Sequence, residues 1–313
     1  MLFTLGGNHI TRNKNGKIFL IKTKDRNYGI NELMDHFNID EFSGDKVALK
    51  ANFNSADPFP ASTHIDTLHS IIKKLKEADV NGLTLAERSG MGNTRQVLEK
   101  MGVFELSDKI GFEVVVLDEE NKDAWVKIEK NGTHWVKGFY ISRLFLESDK
   151  VVQTCCLKTH RFGGHFTLSL KNSVGIVAKR LPKGLYNYMA ELHVSPYQRF
   201  MVAEINKYYN VDMIIMDALN AFITKGPEQG EVVEPNLILA GDDRVAMDAD
   251  GVAILRNYGV KTGISQGPIF ELDQIQRASE LSVGVKSAQE IEVIPLNDES
   301  HGDAESIMKI LEG

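Results

Sequence analysis

The 313-residue chain predicts an α/β fold: a mixed, largely parallel sheet with helices on both faces, two lobes around a cleft, and a short N-terminal extension. Three observations predict it. Apolar strand-like runs alternate with amphipathic helical runs over residues 46–118, in the β-α-β-α-β order of a parallel sheet with crossover helices. A hairpin signal interrupts that alternation at 125–142, and two further apolar runs follow at 211–218 and 236–241.

The elements follow in order. "KVALKANF" (46–53) reads as a buried strand, and "ASTHIDTLHSIIKKLKEADV" (61–80) as an amphipathic helix. In that helix Leu68, Ile71, Ile72 and Leu75 recur at helical spacing, with Ser62 or Thr63 as the expected N-cap. "GLTLAER" (82–88) is the next strand, a helix over 93–101 ends at Gly102, and "FEVVVLD" (112–118) closes the run. "WVKIEKNGTHWVKGFYIS" (125–142) carries an Asn-Gly turn between two strand-like halves. "KVVQTCCLK" (150–158) is a strand that leads into a helix expected over 167–178. A helix over 196–209, the strand "VDMIIMDA", the strand "NLILAG" and the helix 244–259 come next, with smaller helices near 271–282 and 303–312. Because the alternation starts only at Lys46, residues 1–45 are expected to be an N-terminal extension, 46–260 the core, and 261–313 its C-terminal completion.

Composition narrows the function. The hydrophobic fraction of 42% and charged fraction of 25% are ordinary for a soluble globular protein. There is no apolar run long enough for a membrane helix, and "MLFTLGGNHITRNKNGK" turns polar after Leu5, so the expected location is cytoplasmic. A net charge of -7 argues against nucleic acid or an anionic membrane as partner. It leaves room for a small anionic ligand, which reads only its local field. The two cysteines, Cys155 and Cys156, are too few and too close for an iron–sulfur cluster, and are expected to be buried, reduced strand residues.

Ligands of open α/β sheets bind beyond the carboxyl ends of parallel strands. Those ends here carry Lys50 and Asn52, Glu87 and Arg88, Lys158 and His160, Asp217, and Asp242 and Asp243. Between Leu157 and Arg180 the chain has no Asp or Glu at all, although the whole protein is acidic. That stretch holds Lys158, His160, the Gly163-Gly164 pair, His165, Lys171 and Asn172. Glycines ahead of a helix N-terminus, with lysines on either side, are the ingredients of an anion site. Lys50, Asn52, Glu87, Lys158 and Asn172 are therefore the candidate ligand-binding residues, and His160 and Lys171 the candidate catalytic ones. A histidine needs little shift to act as acid or base near neutral pH. His160 and His165, five positions apart, would be separated by about 140° on a helix and would not share a face. With a divalent metal as candidate cofactor, the donors would be His160, His193, Asp217 and Asp248. Asp243 is better explained as the N-cap of the helix that starts at Arg244.

The ordered set "KANF" (50–53), "LAERSG" (85–90), "LKTHRFGGHFTLSLKNSVGIV" (157–177), "IIMDAL" (214–219) and "AGDDRVAMDADGVAILRNYG" (240–259) resembles the domain-of-unknown-function 362 family. Some members of that family carry CxxCxxC runs, which this sequence does not have. "THRFGGHFTLSLKNSVGI" is also similar, more distantly, to the active-site segment of the nickel-pincer lactate racemases. That likeness implies Lys171 as carrier of a covalently attached nickel cofactor, His160 as a base and His193 as a nickel ligand. The racemases' upstream Gly-Thr-His base motif has no counterpart, since "ERSGMGNT" (87–94) lacks a histidine, so the likeness implies shared architecture and not shared activity. Three functions fit the residues. The first is binding or transformation of a small anionic metabolite in the cleft; the others are a metal- or cofactor-dependent enzyme and a non-catalytic binding or adaptor protein.

Overall fold

The computed structural model describes residues 16–161 and 165–313. The chain opens with β1 (Lys17–Lys22) and α1 (Arg26–His36), followed by β2 (Lys46–Lys50), α2 (Ile65–Glu77) and β3 (Gly82–Glu87). Next come α3 (Thr94–Lys100), α4 (Val103–Ile110) and β4 (Glu113–Val116), then the hairpin strands β5 (Trp125–Ile128) and β6 (Phe139–Ser142). The middle of the chain forms α5 (Arg143–Glu147), β7 (Lys150–His160), β8 (His165–Thr167), α6 (Ser169–Asn172), α7 (Tyr188–Val194) and α8 (Gln198–Ile205). It closes with β9 (Met213–Phe222), β10 (Val232–Val233), β11 (Leu237–Gly241), α9 (Arg244–Asn257), α10 (Asp273–Glu280), β12 (Glu292–Pro295) and α11 (His301–Glu312).

Ten strands make one mixed, mostly parallel sheet with the order β12-β1-β11-β9-β7-β2-β3-β4, with β10 added to β9 and β8 to β7. The neighbours β9, β7, β2, β3 and β4 all run parallel. β5 and β6 pair separately. Side chains of a strand alternate between faces, and the two apolar cores follow that period of two. Ala48, Val151, Cys155, Leu157, Ile214, Met216 and Leu239 join one core with α8 to α11. Val47, Leu49, Val152, Met213, Ile215 and Ile238 join the other with α1 to α4. Helices therefore cover both faces, as the alternation of sequence patterns required.

Local chemistry explains the individual elements. On α2 the stripe Leu68, Ile71, Ile72 and Leu75 is fully buried, each side chain contributing about 1.5–3 kcal/mol. Its N-cap is His64, whose Nδ1 accepts the Asp66 N–H at 3.2 Å, and not Ser62 or Thr63. Thr63 instead accepts the Asn52 N–H at 2.9 Å, holding the loop after β2. Asp243 caps α9 as expected, accepting the N–H groups of Val245 and Ala246. Cys155 and Cys156 are buried free thiols, with burial pushing both above their ordinary range.

Three differences from the sequence reading matter for the site. Among the described residues before Lys46, Lys17–Lys22 belong to the sheet, because β1 pairs antiparallel with β11 and parallel with β12. β11 runs antiparallel to β9, so its end at Gly241 delivers Asp242 and Asp243 to the opposite edge from Lys50, Glu87 and His160. The expected helix over 167–178 is instead β8, the single turn α6 and a 3₁₀ turn over Ser173–Ile176. That turn packs tightly on Lys50: a Cβ at Gly175 would fall 2.5 Å from Lys50 Cε and 2.7 Å from Lys50 Nζ. Gly163 and Gly164 lie outside the described residues. α6 is too short to offer the helix N-terminus that an anion site there needs.

Candidate functional site: a cationic pocket at the strand ends

Beyond the carboxyl ends of β2, β3 and β7 lies a cavity of about 120 Å³. Lys50, Asn52 and Asn54 reach it from β2, Glu87 and Arg88 from β3, and His160 and Arg161 from β7. Thr167, Lys171, Asn172 and Gly175 cover it from the segment after β7, with His193 and Gln198 from α7 and α8. Parallel neighbours in the sheet bring these residues to one edge, which is why positions far apart in sequence meet. The volume suits a ligand of a few heavy atoms; drug-sized sites run to roughly 300–1,000 Å³.

Most of the charge here is already spoken for. Lys50 Nζ is 2.6 Å from Glu87 Oε1, and also donates to the Ala51 carbonyl and to Asn172 Oδ1. Glu87 further accepts the N–H groups of Arg88 and Phe53. Burial pushes Lys50 down and Glu87 up, and the opposite charge of each partner resists the shift. Arg88 straps the 3₁₀ turn to β3, donating to the carbonyls of Val177 at 2.8 Å and Val174 at 2.6 Å. Lys158 is fully buried below the cavity, donating to Asn52 Oδ1 and to the carbonyls of Pro60 and Ala61. It is a structural cation that orients Asn52 and does not line the pocket.

Lys171 differs from these lysines in what it touches, since burial lowers Lys158 too. Burial first, then the positive charges of Arg199, Lys158 and Arg88, lower its ammonium to about 7, with no carboxylate among the causes. Among the described residues its amine has no hydrogen-bond or ion-pair partner. Thr167 is nearly as bare: it is 7% exposed, lines the cavity, and among the described residues its hydroxyl has no hydrogen-bond partner. His193 Nδ1 sits 2.6 Å from the Met189 carbonyl, which can only accept. Nδ1 therefore carries the hydrogen, and Nε2 of the neutral ring presents a lone pair. Burial, opposed by that hydrogen bond, lowers His193, and the nearby charges of Lys171, Arg88 and Arg199 push the same way.

The pocket thus brings together Lys50, Asn52, Glu87, His160, Lys171, Asn172 and His193. It does not bring together the donor set His160, His193, Asp217 and Asp248. Asp217 faces α1 and α2, accepting from Arg26 Nε at 2.9 Å and from Thr67 Oγ1. Asp248 is buried in α9 and accepts the Leu170 N–H at 3.1 Å. Among the described residues no group of three or more His, Cys, Asp or Glu is placed to hold a metal ion. His160 and His165 are direct cross-strand partners in the β7–β8 hairpin, so they share a face, contrary to the helical reading. Residues the sequence reading missed include Thr167, Gln198 and Arg199. Arg199 is buried, and burial lowers it to about 10. Its spacing with Val202 and Ala203 places it on the inward stripe of α8, a signal the sequence contains.

Comparison with known proteins gives three findings. A family model described as Domain of unknown function (DUF362) matches residues 47–253. No curated protein matches the chain. Among solved structures, it is similar to the lactate racemase apoprotein from Thermoanaerobacterium thermosaccharolyticum, at 18% identity and a TM-score of 0.47, covering 76% of this chain and 57% of that one. It is also similar to a protein from Thermotoga maritima, at 13% identity and a TM-score of 0.38, covering 67% of this chain and 52% of that one. The chain thus spans little more than half the length of either. The family match runs from β2 into α9 and takes in every residue that lines the pocket, and the chain belongs to the domain-of-unknown-function 362 family.

Proposed function

We propose that the pocket binds a small anionic metabolite, a carboxylate or phosphate, with Lys171 as its cationic anchor and His160 and His193 as the groups that exchange protons with it. One observation carries the reading: Lys171 presents to the cavity an amine with no acceptor among the described residues, and the charges that act on it are those of the cations Arg199, Lys158 and Arg88. Such a cluster repels itself, by about 1 kcal/mol per pair at 4 Å even in water. A bound anion removes that cost and so stabilises the fold. Sulfate or phosphate should raise the melting temperature more than chloride at equal ionic strength, and Lys171→Met should abolish the increment while the circular dichroism stays native. Equal shifts with chloride, or an undiminished sulfate effect in Lys171→Met, refute the reading.

The same amine favours a second reading, a cofactor-dependent enzyme. A nickel cofactor of the kind implied by the sequence likeness would be carried by Lys171 and ligated through His193, and would supply a Lewis-acidic centre. The unpartnered amine and the free Nε2 fit that group; Asp217 and Asp248, committed elsewhere, would take no part. Elemental analysis and intact mass of protein from nickel-supplemented cells separate the two readings.

A further inference from the structure

We propose that Lys171 is a nucleophile that forms an imine with a small oxo acid, from the juxtaposition of its unpartnered amine, the Thr167 hydroxyl and the lone pair of His193 in one small cavity. The inference rests on the anion-pocket reading, which supplies the carboxylate of the same substrate with its binding site.

The three lysines around the cavity sort by what they already touch. Burial lowers Lys50 and Lys158 as well, but each already donates to three acceptors within the protein, so their amines are engaged and turned away from a ligand. Among the described residues Lys171 has no acceptor to hold its proton, and Arg199, Lys158 and Arg88 oppose the charged form. A lysine desolvated beside other cations is the recognised way to obtain a neutral, nucleophilic amine near neutral pH. The cations that deprotonate it also favour a substrate carboxylate in the same cavity. An oxo acid, with a carbonyl beside its carboxylate, uses both properties at once. The cavity of about 120 Å³ keeps that acid small.

The chemistry balances without any further reagent. The amine lone pair attacks the carbonyl carbon, forming the C–N bond, while the carbonyl oxygen takes a proton and becomes a hydroxyl. The two amine protons are thus relayed from nitrogen to that oxygen, the second as the C–O bond breaks and water leaves, giving the imine. His193, with Nδ1–H fixed on the Met189 carbonyl, accepts and returns protons through Nε2. The Thr167 hydroxyl, 7% exposed and without a partner among the described residues, is the donor available to the reacting oxygen.

The test is reductive trapping on the full chain. Pyruvate with sodium cyanoborohydride should add one reduced adduct per protein, mapped by peptide sequencing to Lys171, and sulfate should suppress it. Lys171→Arg should lose the adduct. Peptide mapping of the wild type locates the adduct even if that variant fails to fold. Adducts scattered over surface lysines, or none at Lys171, overturn the proposal. If trapping fails while sulfate still raises the melting temperature, the imine is refuted and the anion pocket stands. If sulfate has no effect either, both fall.

Discussion

Replacing Asp248 by asparagine should stabilise the protein at neutral pH and flatten part of its pH dependence. Asp248 is fully buried. Burial raises its carboxyl to about 8, against hydrogen bonds from Leu170, Ser169 and Gln274 that favour the ionised form. In the unfolded chain it titrates near the ordinary value of about 3.9. Between those two values the folded protein holds a proton that the unfolded chain has released. Stability therefore falls as pH rises, by about 1.4 kcal/mol per unit, or about 2.7 kcal/mol from pH 5 to pH 7. The asparagine is isosteric and carries no such proton. Its oxygen can still accept the Leu170 N–H, and once the Gln274 amide, which now donates through Nε2, turns over, the asparagine amide can donate to Gln274 Oε1, a buried oxygen without a partner among the described residues. Urea unfolding of D248N and wild type at pH 5, 6 and 7 should show the difference in stability growing by that 2.7 kcal/mol or so in favour of the variant. A difference that stays constant over the range means the carboxyl is ionised in the folded state, and the reasoning fails.

Glu87→Gln should cost about 3–5 kcal/mol in urea unfolding, because it leaves the Lys50 ammonium buried without its carboxylate; adding Lys50→Met should recover much of the loss, and no recovery refutes the pairing as cause. Sulfate binding followed by titration calorimetry should weaken by up to about tenfold per pH unit above pH 7. The Lys171 amine, lowered to about 7, must take up a proton to bind there. Lys171→Met should show no such dependence, and a pH-independent wild type would remove Lys171 from the anion site.

How much of this was legible beforehand depends on the range of each interaction. Local patterns set the α2 stripe Leu68, Ile71, Ile72 and Leu75, the Asp243 cap and the β5–β6 hairpin, because periodicity, capping and turn chemistry act over a few residues. The cap of α2 is not legible locally, because Thr63 is engaged by the Asn52 N–H, a contact across the loop.

The sequence by itself determined the alternating β-α order, the burial of Cys155 and Cys156, and the stock of lysines and histidines near 157–180. Only the tertiary structure decided which of them share a cavity. Strand direction did most of the sorting: β2, β3 and β7 run parallel and point Lys50, Glu87 and His160 to one edge, while antiparallel β11 sends Asp242 and Asp243 to the other. Strand direction also made room for β1, an N-terminal strand whose partners lie more than 200 residues away in the chain. Lys158 and Lys171 look alike in sequence, yet one is tied to the Ala61 and Pro60 carbonyls and the other is left open to the pocket. The reason is physical: a side chain's chemistry is intrinsic, but the acceptors that satisfy or abandon it come from segments that only folding brings near.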